Sequence, residues 1–362
     1  MKLKTTALTR AARTLGATLA VAATLGLAAC GGSTSRVENF APTRMVVFGD
    51  ELSALGAGLA SEPLGSKYGH NAVDTTTGAL VCGSSPLWVQ SVAASFGLTF
   101  AECGGTAGSA NAVMKAAYGA RVSQVAAQFA AFNATDVLNP TTLVTVMAGM
   151  HDVLDAYSAY DLGSLSRDQA LAQASDAGTT LGNLVNRMAN NGAGGRIVYA
   201  TMPDLGLSPY AIAEKAAHTD IDRQQLLTDL SARFNERLRL TVINDGRYVG
   251  LVTADELLQF MAKNPGTYGF TDWTSAACVT TKVQFDGSAD SDLAGIYSAP
   301  FNTIYPNESD ERRVIGCSNL TLASGAAASN TTYLWADGRR PGAAWQAQLG
   351  SSAISRARTN PF

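Results

Sequence analysis

Three short clusters place chemically capable side chains directly after apolar runs. Phe48-Gly49-Asp50-Glu51-Leu52-Ser53 closes the run that begins at Met45, and Ala148-Gly149-Met150-His151-Asp152 follows Leu143 to Met147. Trp335-Ala336-Asp337-Gly338-Arg339-Arg340-Pro341 comes near the end of the chain. Carboxylate and imidazole are acid/base types, so Glu51, His151 and Asp337 could form an acid/base set or ligate a metal ion. Ser53 offers a hydroxyl as a possible nucleophile. Arg340 stays protonated at any ordinary pH, so it cannot serve as a base, and its charge would repel a cation. That argues against the metal, and no metal is expected. Gly104-Gly105 and Gly194-Gly195 are turn signals without the sequence of a phosphate-binding loop, and no cofactor is expected either.

The elements that must position these clusters alternate. Met45 to Phe48, Leu143 to Met147, Ile197 to Thr201 and Tyr248 to Val252 are short apolar runs that read as buried strands. Between them lie helical stretches: Ser85-Pro86 to Gly97, with serine as N-cap and proline in the first turn, then Arg121 to Phe132, Asp168 to Asn190, Ile221 to Ile243 and Ala254 to Ala262. Alternation of this kind predicts an α/β fold with a parallel sheet covered on both faces. From Asn264 to Gly325 the pattern dissolves into Gly, Pro, Asn and Ser. We read 264–325 as an excursion held by a disulfide, after which Tyr333-Leu334-Trp335 returns as a strand and a helix from about Gly342 closes the chain. Trp88, Trp273, Trp335 and Trp345 are expected in the core or at its rim, and His70 and His218 in exposed loops or polar helix.

The three clusters, in this order, resemble the GDSL, or SGNH, hydrolase family. That family carries a Gly-Asp-Ser-Leu turn near the N-terminus, Gly-x-Asn-Asp in mid-chain and Asp-x-x-His near the C-terminus. Further segments are similar: Gly83 to Leu98, Tyr118-Gly119-Ala120-Arg121-Val122, Met202-Pro203-Asp204-Leu205-Gly206-Leu207-Ser208-Pro209, Phe234-Asn235-x-x-Leu238 and Asn264-Pro265-x-x-Tyr268-Gly269-Phe270. The resemblance implies a three-layer sandwich with the parallel sheet between helices, and one such domain over 43–362. It also implies ester hydrolysis, in which serine attacks a carbonyl and a histidine oriented by aspartate removes its proton. The oxyanion is held by backbone N–H groups and the asparagine side chain.

This chain departs from that pattern where the reaction happens. Glu51 stands at the serine position, His151 at the asparagine and Arg340 at the histidine; Asp337 keeps its type and Gly119 corresponds to the oxyanion glycine. Glutamate cannot copy an alkoxide nucleophile, and arginine cannot replace the base. No catalytic set is intact, so the resemblance implies a pseudoenzyme acting in binding or envelope organisation. Because the family's serine and histidine touch, Glu51 and Arg340 should lie close together, where carboxylate and guanidinium can pair and Asp337 can complete a charged cluster. The alternative is a hydrolase acting on ester bonds of lipids or glycans through altered residues. An acyl or glycan ligand in the cleft fits either reading; a third reading, a purely structural lipoprotein, predicts no ligand there.

The N-terminus has its own chemistry. Lys2, Lys4, Arg10 and Arg13 precede an uncharged, mostly apolar run from Leu15 to Ala29. That run is shorter than the about 20 residues a spanning helix needs and fits a signal-peptide core. It ends in Leu27-Ala28-Ala29-Cys30, similar to the bacterial lipoprotein box, in which the cysteine is acylated (with palmitate among the expected chains) and becomes the new N-terminus. An ordinary cleavage site with an incidental cysteine is the other reading. We therefore expect 1–29 as signal peptide and 30–42 as a lipidated tether, with the membrane reached through Cys30. Gly31 in place of an aspartate favours the outer membrane over the inner.

Lipid on Cys30 leaves Cys82, Cys103, Cys278 and Cys317, an even set for an oxidising compartment. Sequence neighbours suggest Cys82–Cys103 and Cys278–Cys317, although four cysteines allow three connectivities. Zinc is the rival, weakened by the lack of any CxxC pair and by three histidines remote in sequence. Removing the four positive charges of residues 1–29 takes the net charge from −3 to −7. No basic face is evident, so no nucleic-acid partner is expected.

Overall fold

The computed structural model describes residues 40–58, 63–77, 79–106, 108–190, 195–243, 246–278, 317–319, 322–323 and 331–359. The predicted signal peptide, Cys30 and nearly all of the tether lie outside them, as does most of the excursion. The described residues all fall within one compact unit, Phe40–Phe362.

β1 (Arg44–Gly49) is buried from Met45 onward, and β3 (Thr142–Met147) is buried throughout. Such unbroken burial is what a strand needs when both faces of its sheet are covered. With β2 (Ala112–Met114), β4 (Arg196–Ala200) and β5 (Val249–Val252) they form a five-stranded sheet in the order β2-β1-β3-β4-β5, every pairing parallel. Alternate residues serve opposite cores. Val46, Phe48, Val144 and Val146 join α2 (Val122–Thr135), α3 (Met150–Asp161), α4 (Arg167–Ala189) and α6 (Arg223–Thr241). Met45, Val47, Leu143 and Met147 join α1 (Trp88–Ser95), α7 (Ala254–Lys263) and α8 (Ala343–Arg358). The fold is therefore an α/β sandwich of three layers. Among the described residues no helix is long and apolar enough to cross a membrane.

The strand order places the turning point of the chain between β1 and β3, since the chain leaves β1 for β2 on one side and returns to β3 on the other. Open α/β sheets bind ligands at the carboxyl ends of the strands flanking such a point. The register pairs Gly49 with Met147, so both strands end level and their following loops emerge side by side. Two glycines make this approach possible. Gly49 has φ +144°, and a Cβ there would lie 2.1 Å from the Met147 carbonyl oxygen; Gly149 has φ +125°, and a Cβ there would lie 2.3 Å from the Phe234 ring. No other residue type fits either backbone.

Several sequence expectations change. The first helix starts at Trp88, not Ser85: Ser85 has φ +47°, and Leu87 occupies the N-cap with its N–H donated to Gln90 Oε1 at 2.8 Å. The reason lies in Lys67, whose buried ammonium donates to the carbonyls of Cys82, Ser84 and Ser85, holding 82–85 as a turn. Three elements outside the excursion went unforeseen, β2, α3 and α5 (Pro209–Ala217), and so did one strand within it. Within the excursion, β6 (Asp272–Ala276) pairs parallel with β7 (Tyr333–Trp335) as a separate two-stranded sheet. Its three central residues are exposed, so no buried periodicity marks it. Both expected disulfides, Cys82–Cys103 and Cys278–Cys317, are present. Trp88, Trp335 and Trp345 are fully buried, while Trp273 is exposed.

Candidate functional site

The loop after β1 carries Glu51. It is pinned by Gln128, whose side chain accepts the Gly49 N–H and donates to the Gly49 carbonyl, both at 3.0 Å. The Asp50 N–H donates to Met147 O at 3.1 Å, locking the loop onto the end of β3. His151 lies in the first turn of α3, directly after the Gly149 N-cap. Arg340 comes from the tight turn between β7 and α8, which closes through Ala336 N–H to Arg340 O at 2.9 Å. Asp337 shapes this turn by accepting the backbone N–H of Arg339 and Arg340 at 2.7 and 2.6 Å.

These loops meet on the Glu51 carboxylate. Oε1 accepts from Arg340 Nε at 3.1 Å and Nη2 at 3.0 Å, and lies 2.8 Å from His151 Nε2. Oε2 accepts the Gly119 N–H at 3.0 Å and lies 3.0 Å from the same His151 nitrogen. An ionised carboxylate only accepts, so Nε2 of His151 carries the proton. Arg340 Nη1 donates to Asp337 Oδ2 at 2.8 Å, which makes the guanidinium a bridge between two carboxylates. Its plane also approaches the rings of Tyr68 and Tyr118, each 5.8 Å away and stacked on one another at 4.7 Å.

Glu51 has no exposed surface, and Arg340, His151 and Asp337 are exposed by 1%, 3% and 6%. Burial alone would raise the Glu51 pKa, but the charges of His151 and Arg340 hold it well below the usual carboxylate range. Burial likewise opposes charge on Arg340, and Asp337 and Glu51 outweigh it, so its pKa rises. Asp50 takes the opposite course. Burial, then the neighbouring Glu51 charge, push its carboxyl up to about 8. Its Oδ1 accepts the Leu52 N–H at 3.1 Å, while Oδ2 has no hydrogen-bond partner among the described residues. The two neighbouring carboxyls are thus pushed in opposite directions, Asp50 up and Glu51 down.

The arrangement limits what the groups can do. Both Glu51 oxygens are saturated by donors and closed off from water, which is poor preparation for attack or proton abstraction. Glu51, His151 and Asp337 do converge, but a guanidinium bonds both carboxylates, so the place a metal ion would need is filled by a cation already. The metal reading of that trio fails for this reason. Ser53 is fully buried, and its Oγ accepts from Trp88 Nε1 at 3.0 Å. Among the described residues no base is hydrogen-bonded to it.

His70 is corrected: it is 3% exposed, not on the surface, and sits beside the Cys278–Cys317 disulfide. The segment 65–73 folds inward around the Lys67 turn and hydrogen-bonds to Cys317 and Asn319. His218 is one-third exposed, 3.4 Å from Glu214. Sequence reasoning passed over Tyr68 and Asp50. Asp50 adjoins the motif and could have been singled out, but nothing around Tyr68 marks it.

Residues 45–288 match the GDSL-like lipase/acylhydrolase family, about two-thirds of the chain, and the protein belongs to that family. Among solved structures, a lipolytic protein of the G-D-S-L family from Veillonella parvula DSM 2008 is similar at 13% identity. That match covers 63% of this chain and 86% of that one, with a TM-score of 0.34. An extracellular lipase from Streptomyces rimosus is similar at 17% identity, covering 60% and 82%, with a TM-score of 0.35. No curated protein matches by sequence.

Proposed function

We propose that this chain is a lipid-anchored member of the family that does not hydrolyse esters by the serine mechanism and acts in the cell envelope through binding. The observation that carries the reading is the Glu51 carboxylate. It receives the Gly119 N–H at 3.0 Å while His151 and Arg340 take up its remaining acceptor capacity. In this reading Glu51 stands where the family's serine attacks, and Gly119 is the oxyanion glycine. The protein's own carboxylate then occupies the place of a developing acyl oxyanion. Arg340 stands at the base position and cannot accept a proton. Ser53 does not substitute, being tied to the indole of Trp88.

A fluorophosphonate probe and a short-chain nitrophenyl ester test the chemistry. No labelling and no turnover are expected; labelling at Ser53, or turnover abolished by Ser53→Ala, overturns the reading. The binding role predicts an acyl or glycan ligand from the envelope. A ligand at 100 times its Kd adds about 2.7 kcal/mol of stability, visible as a raised melting temperature. If a screen of envelope lipids and glycans shifts nothing, a binding role for this cleft is wrong.

The anchor rests on the Cys30 motif. Metabolic labelling with an alkynyl palmitate analogue should mark the native chain and not Cys30→Ser, which should appear in the soluble fraction. Labelling that survives in Cys30→Ser would sink the assignment. Fractionation should place the native chain with the outer membrane.

A further inference from the structure

His70 is a buried imidazole with nothing to bond: neither Nδ1 nor Nε2 has a hydrogen-bond partner among the described residues. An unpaired buried polar atom is destabilising, so its placement asks for a cause. A ring nitrogen of His70 and the sulfurs of Cys278 and Cys317 all lie within 4.8 Å of one another, and all three residues are buried. One nitrogen and two sulfurs are a donor set for a thiophilic cation. The sulfurs here form a disulfide, and only thiolates ligate, so the oxidised form binds no metal.

We propose that opening this disulfide converts His70, Cys278 and Cys317 into a binding site for one zinc ion. The opening is a two-electron reduction by a dithiol. The S–S bond breaks, two electrons and two protons yield two thiols, and the reductant leaves as its own disulfide. Zn2+ then displaces both thiol protons and binds two thiolates and the neutral imidazole, with water in the fourth position.

Backbone contacts independent of the S–S bond hold the three ligands together. Asn71 donates its backbone N–H to the Cys317 carbonyl at 2.9 Å and its side-chain amide to the same oxygen at 3.3 Å. Cys278 donates its N–H to Ala336 O at 3.0 Å. Gly342 walls the ring, since a Cβ there would lie 3.4 Å from His70 Cε1. Tetrahedral zinc with Zn–S bonds of ~2.3 Å needs sulfurs ~3.8 Å apart, a separation that side-chain rotation supplies. Sequence distance hid this site, because His70 lies far from both cysteines along the chain. Ala336 immediately precedes Asp337, so the site adjoins the turn that carries Arg340.

Co2+ as a spectroscopic probe tests this on the full chain, reduced with a phosphine under anaerobic conditions. A sulfur-to-cobalt charge-transfer band saturating at one equivalent is expected, displaced by Zn2+ and absent from the oxidised protein. His70→Ala should weaken Co2+ binding by about 100-fold or more, the upper end of what losing even an outer partner costs. Cys82→Ser should leave it unchanged. In the unmutated protein the His70 ring proton resonances should shift on adding Zn2+ to the reduced form only, a readout that does not depend on any variant folding. The proposal is overturned by no band, by an unmoved His70 ring, or by equal binding in His70→Ala. It is equally overturned if reduction abolishes near-UV circular dichroism and Zn2+ does not restore it.

Discussion

Arg340 Nη2 lies 3.0 Å from Glu51 Oε1 across 289 residues of sequence, and neither side chain touches water to any meaningful extent. The pair is tied at both ends, by Asp337 behind the guanidinium and by Gly119 and His151 around the carboxylate. A buried ion pair of this kind contributes little net stability over an apolar pair of the same volume, yet removing one partner strands a charge.

Arg340→Met should therefore destabilise the fold by about 3–5 kcal/mol, and Glu51→Leu similarly. The double variant should lose clearly less than the sum. Urea unfolding of all four proteins measures the coupling, and strict additivity would show that the two groups do not act as a pair.

Asp50 sets a pH dependence of definite sign. Its folded pKa is raised from 3.8 to about 8, so the folded state holds a proton that the unfolded chain has released. Stability thus falls as pH rises from 3.8 toward 8, by up to about 1.4 kcal/mol per pH unit from this group. Asp50→Asn should remove that slope and stabilise the protein more at pH 8 than at pH 5. An equal effect at both values would contradict it.

Acid acts through other groups. Burial depresses His70 from 6.5 to about 4, so stability is lost as pH falls through that window, where the unfolded chain binds the extra proton. Glu51 is held below its ordinary 4.5, and its contribution disappears at still lower pH. Asp50 acts in the opposite sense over the same range, so the effect is read against the parent. The stability of His70→Leu relative to the parent should rise as pH falls from 6.5 to 4, while the loss below 4.5 remains, read from melting temperatures across that range.

Gly149 tests the geometry that aims His151. Gly149→Ala forces φ +125° on an L-residue and drives its Cβ to 2.3 Å from the Phe234 ring. Backbone strain alone costs about 1–3 kcal/mol, and the clash adds to it. A denaturation midpoint within error of the parent would falsify this account of the turn.

Restoration separates a missing nucleophile from a missing base. Glu51→Ser alone should stay inactive on nitrophenyl esters, because Arg340 cannot take the serine proton. Combining Glu51→Ser, His151→Asn and Arg340→His should yield measurable hydrolysis and fluorophosphonate labelling at position 51. Turnover by Glu51→Ser alone would mean another base reaches that position.

Much of the scaffold was legible in the residues themselves. Met45 to Phe48 is apolar without interruption and Leu143 to Met147 is broken only by Thr145, a pattern that suits a strand covered on both faces, so the parallel sheet followed. The polar residues directly after them had to cluster, because parallel strands end on the same side. The pairing of cysteines with their sequence neighbours was legible for similar local reasons. Other features were decided by tertiary structure. β2 is three residues long and β6 mostly exposed, so neither imprints a period. Ser85-Pro86 looks like a helix start, but the Lys67 ammonium claims the carbonyls there. His70 looks like a surface histidine because burial and proximity to Cys278 and Cys317 come from chain segments more than 200 residues apart. Residue types and the order of turns are local and can be read along the chain. Which charge meets which, and what shuts out water, depends on long-range packing, which put Glu51 under Arg340 and left His70 without a hydrogen-bond partner among the described residues.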